Sequence, residues 1–375
     1  MYYDQFNTRI GAIVVAGNDQ GLTHLYIDNG SKPSIIEPHW QHKPERFIDA
    51  QHQIRQFLIG ERHSFNLKLA PQGTEFQKQV WQALTDIPYA QTASYKTIAE
   101  KVGNGNASRA VGMANNKNPI PIIIPCHRVI GSNKKLTGYA FGLEVKAKLL
   151  ELELINSTFD QLISHYGRFS WWPAENAYEV MVGSILTQNT NWANVEKALA
   201  NFAGHLSPSQ IENMPLDRLA ELIRPSGYYN QKAKKLKALT AWFKQYYYDI
   251  DQLKKQNKHR IRTELLAISG IGPETADSIL VYTLDKASFV IDAYTRRIFS
   301  RIGLNVPKDY DDFRLLIESA VTNNADTYAY FHGLIVEHAK SFCSKSKPKC
   351  GQCPIRERCH FAVSECTTRV FPPPP

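Results

Sequence analysis

The chain has 375 residues, 43% of them hydrophobic, and a formal net charge of +9 from 44 Lys and Arg against 35 Asp and Glu. That length predicts about two domains, each able to bury its own core, and the mild basic excess in both halves suits a polyanionic partner. No apolar run reaches 18 residues and the opening MYYDQFNTRIGAIVVAG lacks a leader pattern, so a membrane partner is excluded and a soluble, cytoplasmic, monomeric protein is expected.

Residues 8–28 form two apolar stretches broken by Asn18, Asp19 and Gly21, a hairpin signal that predicts a small sheet. Thr74 is placed to cap a helix in which Phe76, Val80, Leu84 and Ile87 recur at helical spacing before Pro88. A short helix from Ser94 to near Gly103 and a second from about Ala107 to Asn115 suggest a helix-turn-helix, with Arg109 in the first turn of the second helix. The run Ile122, Ile123, Ile124 reads as a buried strand ending at Pro125, which sets Cys126 and His127 side by side near Arg128. A thiol there is either packing or a nucleophile whose pKa is lowered by imidazole, cation or backbone N–H groups. A leucine-rich helix follows over 143–154, and Asn156 and Ser157 come after it without a Pro- or Gly-rich linker.

Beyond that point the pattern is almost wholly helical, with segments near 177–188, 192–204, 216–224, 230–247 and 259–267. LLAISGIGPETADSILVY places Gly270 and Gly272 between two helical stretches, where glycine lets backbone N–H groups approach a phosphate. Asp292 opens the helix DAYTRRIFSRIG and is either a cap or a functional carboxylate. Trp171, Trp172 and Pro173 are either a core aromatic pair or a stacking surface for an electron-poor ring. Cys343, Cys350, Cys353 and Cys359 are separated by 6, 2 and 5 residues, a set able to hold zinc or a cubane, and Cys366 is left without a role. Lys345, Lys347, Lys349, Arg356 and Arg358 among them suit phosphate or are a solvated face.

The motifs GTEFQKQVWQAL, IPYAQTASYKTIAEKVG, SRAVGMANNKNPIPIIIPCHRVIG and LTGYAFGLEVKAKLLELE closely resemble the O6-alkylguanine-DNA alkyltransferases over roughly 70–153. The resemblance implies Cys126 as alkyl acceptor, His127 as its base acting through water, and Glu153 holding the imidazole. It further implies Tyr95 as donor to the departing guanine, Asn118 tying the active-site turn, and Tyr139 in the pocket wall. Arg109 would fill the stack vacated by a rotated nucleotide, with Arg128 also on the DNA side. Phe141 stands where many relatives have glycine, so methyl is expected to be accepted better than benzyl. The transfer itself needs no cofactor, and the thioether product makes each Cys126 single-use.

Residues 157–360 resemble the endonuclease III superfamily of base-excision glycosylases, and FSWWPAENAYEVMVGSILTQNTNW with RPSGYYNQKAKKL looks like its 3-methyladenine branch. The resemblance implies Asp292 stabilising positive charge on the sugar, Gln188 filling the vacated stack, and a [4Fe–4S] cluster on the four cysteines. Bifunctional members carry lysine where this chain has Glu274, so strand cleavage is expected to be absent or slight. The expected fold is multidomain, α+β then all-α. A small α/β lobe over 1–70 is followed by an active-site and DNA-binding domain with the helix-turn-helix over 71–155. A helix-hairpin-helix glycosylase occupies 156–362, with its cluster loop at 343–359, and a tail spans 363–375. The partner implied is double-stranded DNA with alkylated bases, with association to the nucleoid when bound. The rival readings make the second half a glycosylase for oxidised or deaminated bases, or a DNA-binding module without catalysis.

Overall fold

A computed structural model describes residues 1–28, 36–169, 172, 174 and 176–363. Trp171, Pro173 and Cys366 lie outside the described residues, as does the tail from 364. The chain divides into two compact units, Met1–Asp160 with Ser319–Thr322, and Gln161–Glu318 with the residues from Asn323 onward.

The first unit opens with strands β1 (Tyr2–Thr8), β2 (Gly11–Asn18), β3 (Gly21–Asp28) and β4 (Gln41–His42), in spatial order β3-β2-β1-β4. Strand β2 pairs antiparallel with both β1 and β3, and β1 pairs parallel with β4. Ile13, Val14, Val15 and Ala16 are all buried, so this central strand reads as an unbroken apolar run rather than an alternation. Gly21 closes the β2–β3 turn at φ +141°, and a Cβ there would lie 2.4 Å from the Lys68 carbonyl oxygen. Helix α1 (Ile48–Leu58) follows and buries Ile54 and Phe57.

Helix α2 (Glu75–Thr85) begins with a reciprocal cap between Thr74 and Gln77 and buries Val80, Trp81 and Leu84. Strand β5 (Ala93–Ser94) leads into α3 (Tyr95–Lys101), capped by Ser94, and then α4 (Ser108–Asn116). Trp81 donates from Nε1 to the Ala114 carbonyl at 2.9 Å, which fixes α4 against α2. Strand β6 (Val129–Ile130) pairs parallel with β5, bringing the segment after Cys126 beside the start of α3.

Two expectations are corrected here. Ile122–Ile124 is a tight turn, not a strand, with Ile122 at φ 71°. Asn118 holds it by donating to the Ile124 carbonyl at 2.8 Å and accepting from the Ile120 N–H at 3.0 Å. Pro119, Pro121 and Pro125 have no N–H to give a ladder, so burial of the isoleucines is met by a turn. Helix α5 runs Leu143–Tyr166, twelve residues beyond the expected end at Leu154. Ser157 and Thr158 do not stop it because both hydroxyls bond back to the Leu154 carbonyl, and Gly167 at φ 64° is the first residue suited to end it. The division between the units, at Asp160 and Gln161, falls inside this helix.

Among its described residues the second unit is helical throughout, with no strand. Its helices are α6 (Ala177–Leu186), α7 (Trp192–Ala200), α8 (Pro208–Asn213), α9 (Leu216–Leu222), α10 (Tyr229–Lys244) and α11 (Ile250–Lys255). They continue with α12 (Lys258–Ala267), α13 (Pro273–Thr283), α14 (Ala293–Ile302), α15 (Tyr310–Ala320) and α16 (Ala325–Ser341). Helix α6 is buried on every side, as expected of a central helix, and packs on α13 with Met181, Val182, Ile185, Ile279 and Leu280 in one core. Helices α12 and α13 join through Gly270 and Gly272 as a helix-hairpin-helix. Gly270 has φ +87°, a backbone conformation that favours glycine, and a Cβ on it would also displace the flexible Lys235 stem, 2.4 Å away.

Candidate active sites

In the first unit a 3₁₀ turn, Cys126–Arg128, carries the thiol into the interior. Cys126 is 3% exposed and His127 and Glu153 are fully buried. His127 Nε2 meets Glu153 Oε1 at 2.7 Å, while Nδ1 is buried with no protein partner. The glutamate's remaining capacity is filled: Ala90 N–H donates to Oε2 at 2.9 Å, and Arg128 donates to both oxygens at 2.9–3.1 Å. Arg128 also donates to the Ile87 carbonyl at 2.7 Å. It is 6% exposed, so the expectation that Arg128 faces DNA is wrong. Its guanidinium neutralises a buried carboxylate, and that pairing explains a charged side chain in the core.

Burial pushes the Cys126 thiol up to about 11, against the lowering action of the Asn118 side chain, Lys146 and the N–H groups of Cys126 and His127. The resting group is therefore a thiol: desolvation outweighs the donors on which the nucleophile reading of the sequence relied. Burial likewise lowers His127, opposed by Glu153, so the imidazole stays neutral and free to accept a proton. Glu153 lies below the usual carboxylate range despite burial, because His127 and Arg128 favour its charge.

Tyr95 is partly exposed, with its hydroxyl 3.4 Å from the Thr137 carbonyl. The Tyr139 hydroxyl is buried without a partner, and Phe141 stands edge-on to the Tyr139 ring at 5.8 Å. Arg109 is exposed in the first turn of α4. Lys146 was missed by sequence reasoning. Fully buried on α5, it donates to the carbonyls of Val129 at 2.5 Å and Thr137 at 2.7 Å, and burial lowers it to about 8. Its only sequence signal is one lysine on the helix face that also bears Val145, Leu149 and Leu152.

In the second unit Asp292 caps α14: Oδ1 accepts from the Thr295 N–H and hydroxyl, both at 2.7 Å. Its Oδ2 faces His332 Nε2 at 3.5 Å. Both readings of Asp292 are thus compatible, since one oxygen caps and the other stays available. Burial works to raise the carboxyl, but His332 and Thr295 win and hold it below the usual range. His332 Nδ1 meets the Tyr282 hydroxyl at 2.6 Å. Trp172 lies 5.0 Å from the Tyr282 ring and 5.4 Å from Trp192, centroid to centroid, above Gly183. His332 and Tyr282 also escaped the sequence reading: His332 sits in no motif singled out there, and Tyr282 closes the hairpin motif at a position to which no role was given.

Gln188 spans to the hairpin, donating to the Gly270 carbonyl at 3.2 Å and the Thr275 hydroxyl at 3.0 Å while accepting from Lys235 at 2.6 Å. The four cysteines Cys343, Cys350, Cys353 and Cys359 are free thiols lining one cavity with Ile298, Ile302 and Phe342. Among the described residues no three His, Cys, Asp or Glu side chains converge as a single ion requires. Four soft donors around one apolar cavity are the donor set that an iron–sulfur group would need. Arg301 Nη1 stands 3.1 Å from Cys343 Sγ, supplying positive charge where thiolates would gather.

Family models match the chain in three places. They are the 6-O-methylguanine DNA methyltransferase ribonuclease-like domain (1–71), the DNA binding domain of the same family (75–155), and the HhH-GPD superfamily base excision DNA repair protein (182–322). A methylated-DNA–protein-cysteine methyltransferase of Methanosarcina acetivorans is 52% identical over 153 residues, 41% of this chain and 98% of that protein. A "Putative DNA repair glycosylase" of Methanocaldococcus jannaschii is 47% identical over 214 residues, 56% of this chain and 97% of its own length. The chain belongs to both families. It joins a methyltransferase domain to an HhH-GPD domain, a two-part DNA repair protein. A crystal structure of Mycobacterium tuberculosis OGT in complex with DNA is similar at 43% identity and TM-score 0.39, covering 41% of this chain and 92% of that one. Among the described residues no helix is long and apolar enough to cross a membrane.

Proposed function

We propose that the methyltransferase half transfers the alkyl group of O6-alkylguanine in duplex DNA to Cys126, irreversibly and without a cofactor. The observation that carries this reading is the buried Cys126, His127 and Glu153 group, in which His127 keeps Nδ1 free while Glu153 fixes the ring through Nε2. His127 Nδ1 takes the thiol proton through a water as sulfur attacks the alkyl carbon. The guanine O6 electron pair is met by the Tyr95 hydroxyl, and Lys146 and the turn's N–H groups stabilise the thiolate as it forms. Asn118 holds the turn, Tyr139 and Phe141 wall the pocket, and Arg109 on the exposed face of α4 occupies the stack left by the rotated nucleotide.

The HhH-GPD half, in the same proposal, is a monofunctional glycosylase for alkylated purines such as 3-methyladenine. A cationic purine enters against Trp172 and Tyr282, whose faces favour an electron-poor ring. Asp292 Oδ2 stabilises the positive sugar as the base departs. Gly270 and Gly272 approach a phosphate, and Gln188 fills the vacated stack from its anchorage on the hairpin. With Glu274 in place of an amine, no Schiff base forms and the strand is left intact. Cys343, Cys350, Cys353 and Cys359 would hold a [4Fe–4S] cluster, which when bound cross-links the loop.

One experiment tests both halves. After incubation with DNA carrying O6-methylguanine and 3-methyladenine, mass spectrometry is expected to find one added methyl on Cys126 and free 3-methyladenine in solution. Methylation elsewhere, or no released base, removes the corresponding half of the reading.

A further inference from the structure

Helix α10 grips the end of α6 and the loop after it at two points. Lys232, fully buried, donates to the Leu186 carbonyl at 2.8 Å and the Ser226 carbonyl at 2.7 Å, so the last residue of α6 is tied down by a cation. Lys235, one turn further along the same face of α10, donates to Gln188 Oε1 at 2.6 Å. Its stem crosses the hairpin glycine: a Cβ on Gly270 would stand 2.4, 2.9 and 3.0 Å from Lys235 Cε, Cδ and Cγ. The space left by the missing side chain is where the lysine passes to reach Gln188. Gln188 Nε2 in turn donates to the Gly270 carbonyl at 3.2 Å and the Thr275 hydroxyl at 3.0 Å, so both of its N–H groups are taken. Three elements therefore meet at one half-buried amide: α10 through Lys235, the loop after α6 through Gln188 itself, and the hairpin through Gly270 and Thr275.

The two ends of an amide differ in what they can bond. An ammonium has three donors and no acceptor, so only the oxygen end of Gln188 can lie beside Lys235. That sends the nitrogen end to the hairpin. Without the lysine the amide is free to turn over, because the Thr275 hydroxyl can donate to Oε1 as well as accept from Nε2. A glutamine side chain also carries much rotamer freedom, which has to be given up before it can stand in a base stack. Here the ordering is done in advance, so DNA does not have to supply it. We infer that Lys235 is the positioning residue that fixes the Gln188 amide for its place in the vacated base stack. The inference rests on the stack-filling reading of Gln188. Lys232 sets the backbone from which the side chain starts, and Lys235 sets which way its amide points.

The test measures single-turnover release of 3-methyladenine from duplex DNA by the full-length protein at rising protein concentration, which separates the maximal rate from the half-saturating concentration. Lys235→Met is expected to lower the maximal rate about 10–100-fold, the worth of one hydrogen bond to a charged group, with half-saturation and melting temperature nearly unchanged. Lys235→Arg, which can still donate to Oε1, is expected to stay within about threefold of wild type. In a Gln188→Ala background, Lys235→Met is expected to cause no further loss, because the amide through which it acts is gone. A further loss in that background, Lys235→Arg as slow as Lys235→Met, or no loss at all overturns the role of Lys235. So does a rise in half-saturating concentration with the maximal rate intact, which would make Lys235 a phosphate contact instead. Gln188→Ala as fast as wild type defeats the stack-filling role, and a wild type that releases no base defeats the glycosylase reading; either takes the inference with it.

Discussion

Glu153 and Asp292 are both carboxylates held below their usual range, but the two units surround them differently. Every side of Glu153 is taken: His127, Arg128 and the Ala90 N–H bind both oxygens in a fully buried place. Asp292 spends one oxygen on a helix cap and turns the other toward His332 and the aromatic pocket. The first arrangement can only orient another residue. The second leaves a charge facing the place where a reacting sugar would sit. Under the proposed function, two equal residue types, each shifted in the same direction, would take a positioning role and a direct one according to which lone pairs the fold leaves unused.

Four substitutions distinguish the two sites. Replacing Cys126 with Ser is expected to abolish alkyl transfer while base release continues at the wild-type rate; residual methylation of the variant would deny Cys126 its role. Glu153→Gln should destabilise the first unit by about 3–5 kcal/mol, since it strands the buried Arg128 charge, and urea unfolding followed by alkyl-transfer activity reads the loss. Asp292→Asn should leave stability nearly intact and slow base release by about 10²–10³-fold in single-turnover assays. A large stability loss from Asp292→Asn, or a small one from Glu153→Gln, would reverse the assigned roles. Phe141→Gly should raise the rate on benzyl relative to methyl adducts by about tenfold, and an unchanged ratio would show that this ring does not limit the pocket.

Acid should also separate the units. The folded-state values of Glu153 and His127 are both lowered, so the fold prefers the carboxylate and the neutral imidazole. Their stabilising contribution is complete above the ordinary histidine value of 6.5, declines as pH falls below it, and is further lost as pH passes the usual carboxylate range. Survival of alkyl-transfer activity after incubation at falling pH is the readout, with decline expected to begin below pH 6.5.

Local signals made much of this architecture legible. Thr74, Ser94 and Asp292 each mark a helix start with their own side chain, and all three bonds are present. Gly270 marked the hairpin because a backbone at φ +87° suits glycine. Long-range pairing was not legible in the same way. Arg128 read as a surface cation because its partner lies 25 residues away on α5, and Lys146 escaped notice because its acceptors are carbonyls. The run Ile122–Ile124 looked like a strand since apolar content is visible in sequence, whereas the Asn118 bonds that fold it into a turn are not.

Cys126 lies only 3% exposed inside a turn already tied at Asn118 and Lys146. A methyl group added to its sulfur has to be accommodated by displacement, a misfit of about 1–3 kcal/mol in a close-packed interior. The repaired lesion would thus leave a physical record in the molecule. A spent copy would melt earlier than a fresh one, and quality control that removes unstable proteins would retire a working glycosylase along with the exhausted acceptor. Under the proposed function, fusion would tie the lifetime of a reusable catalyst to the amount of O6-alkylguanine the cell has met.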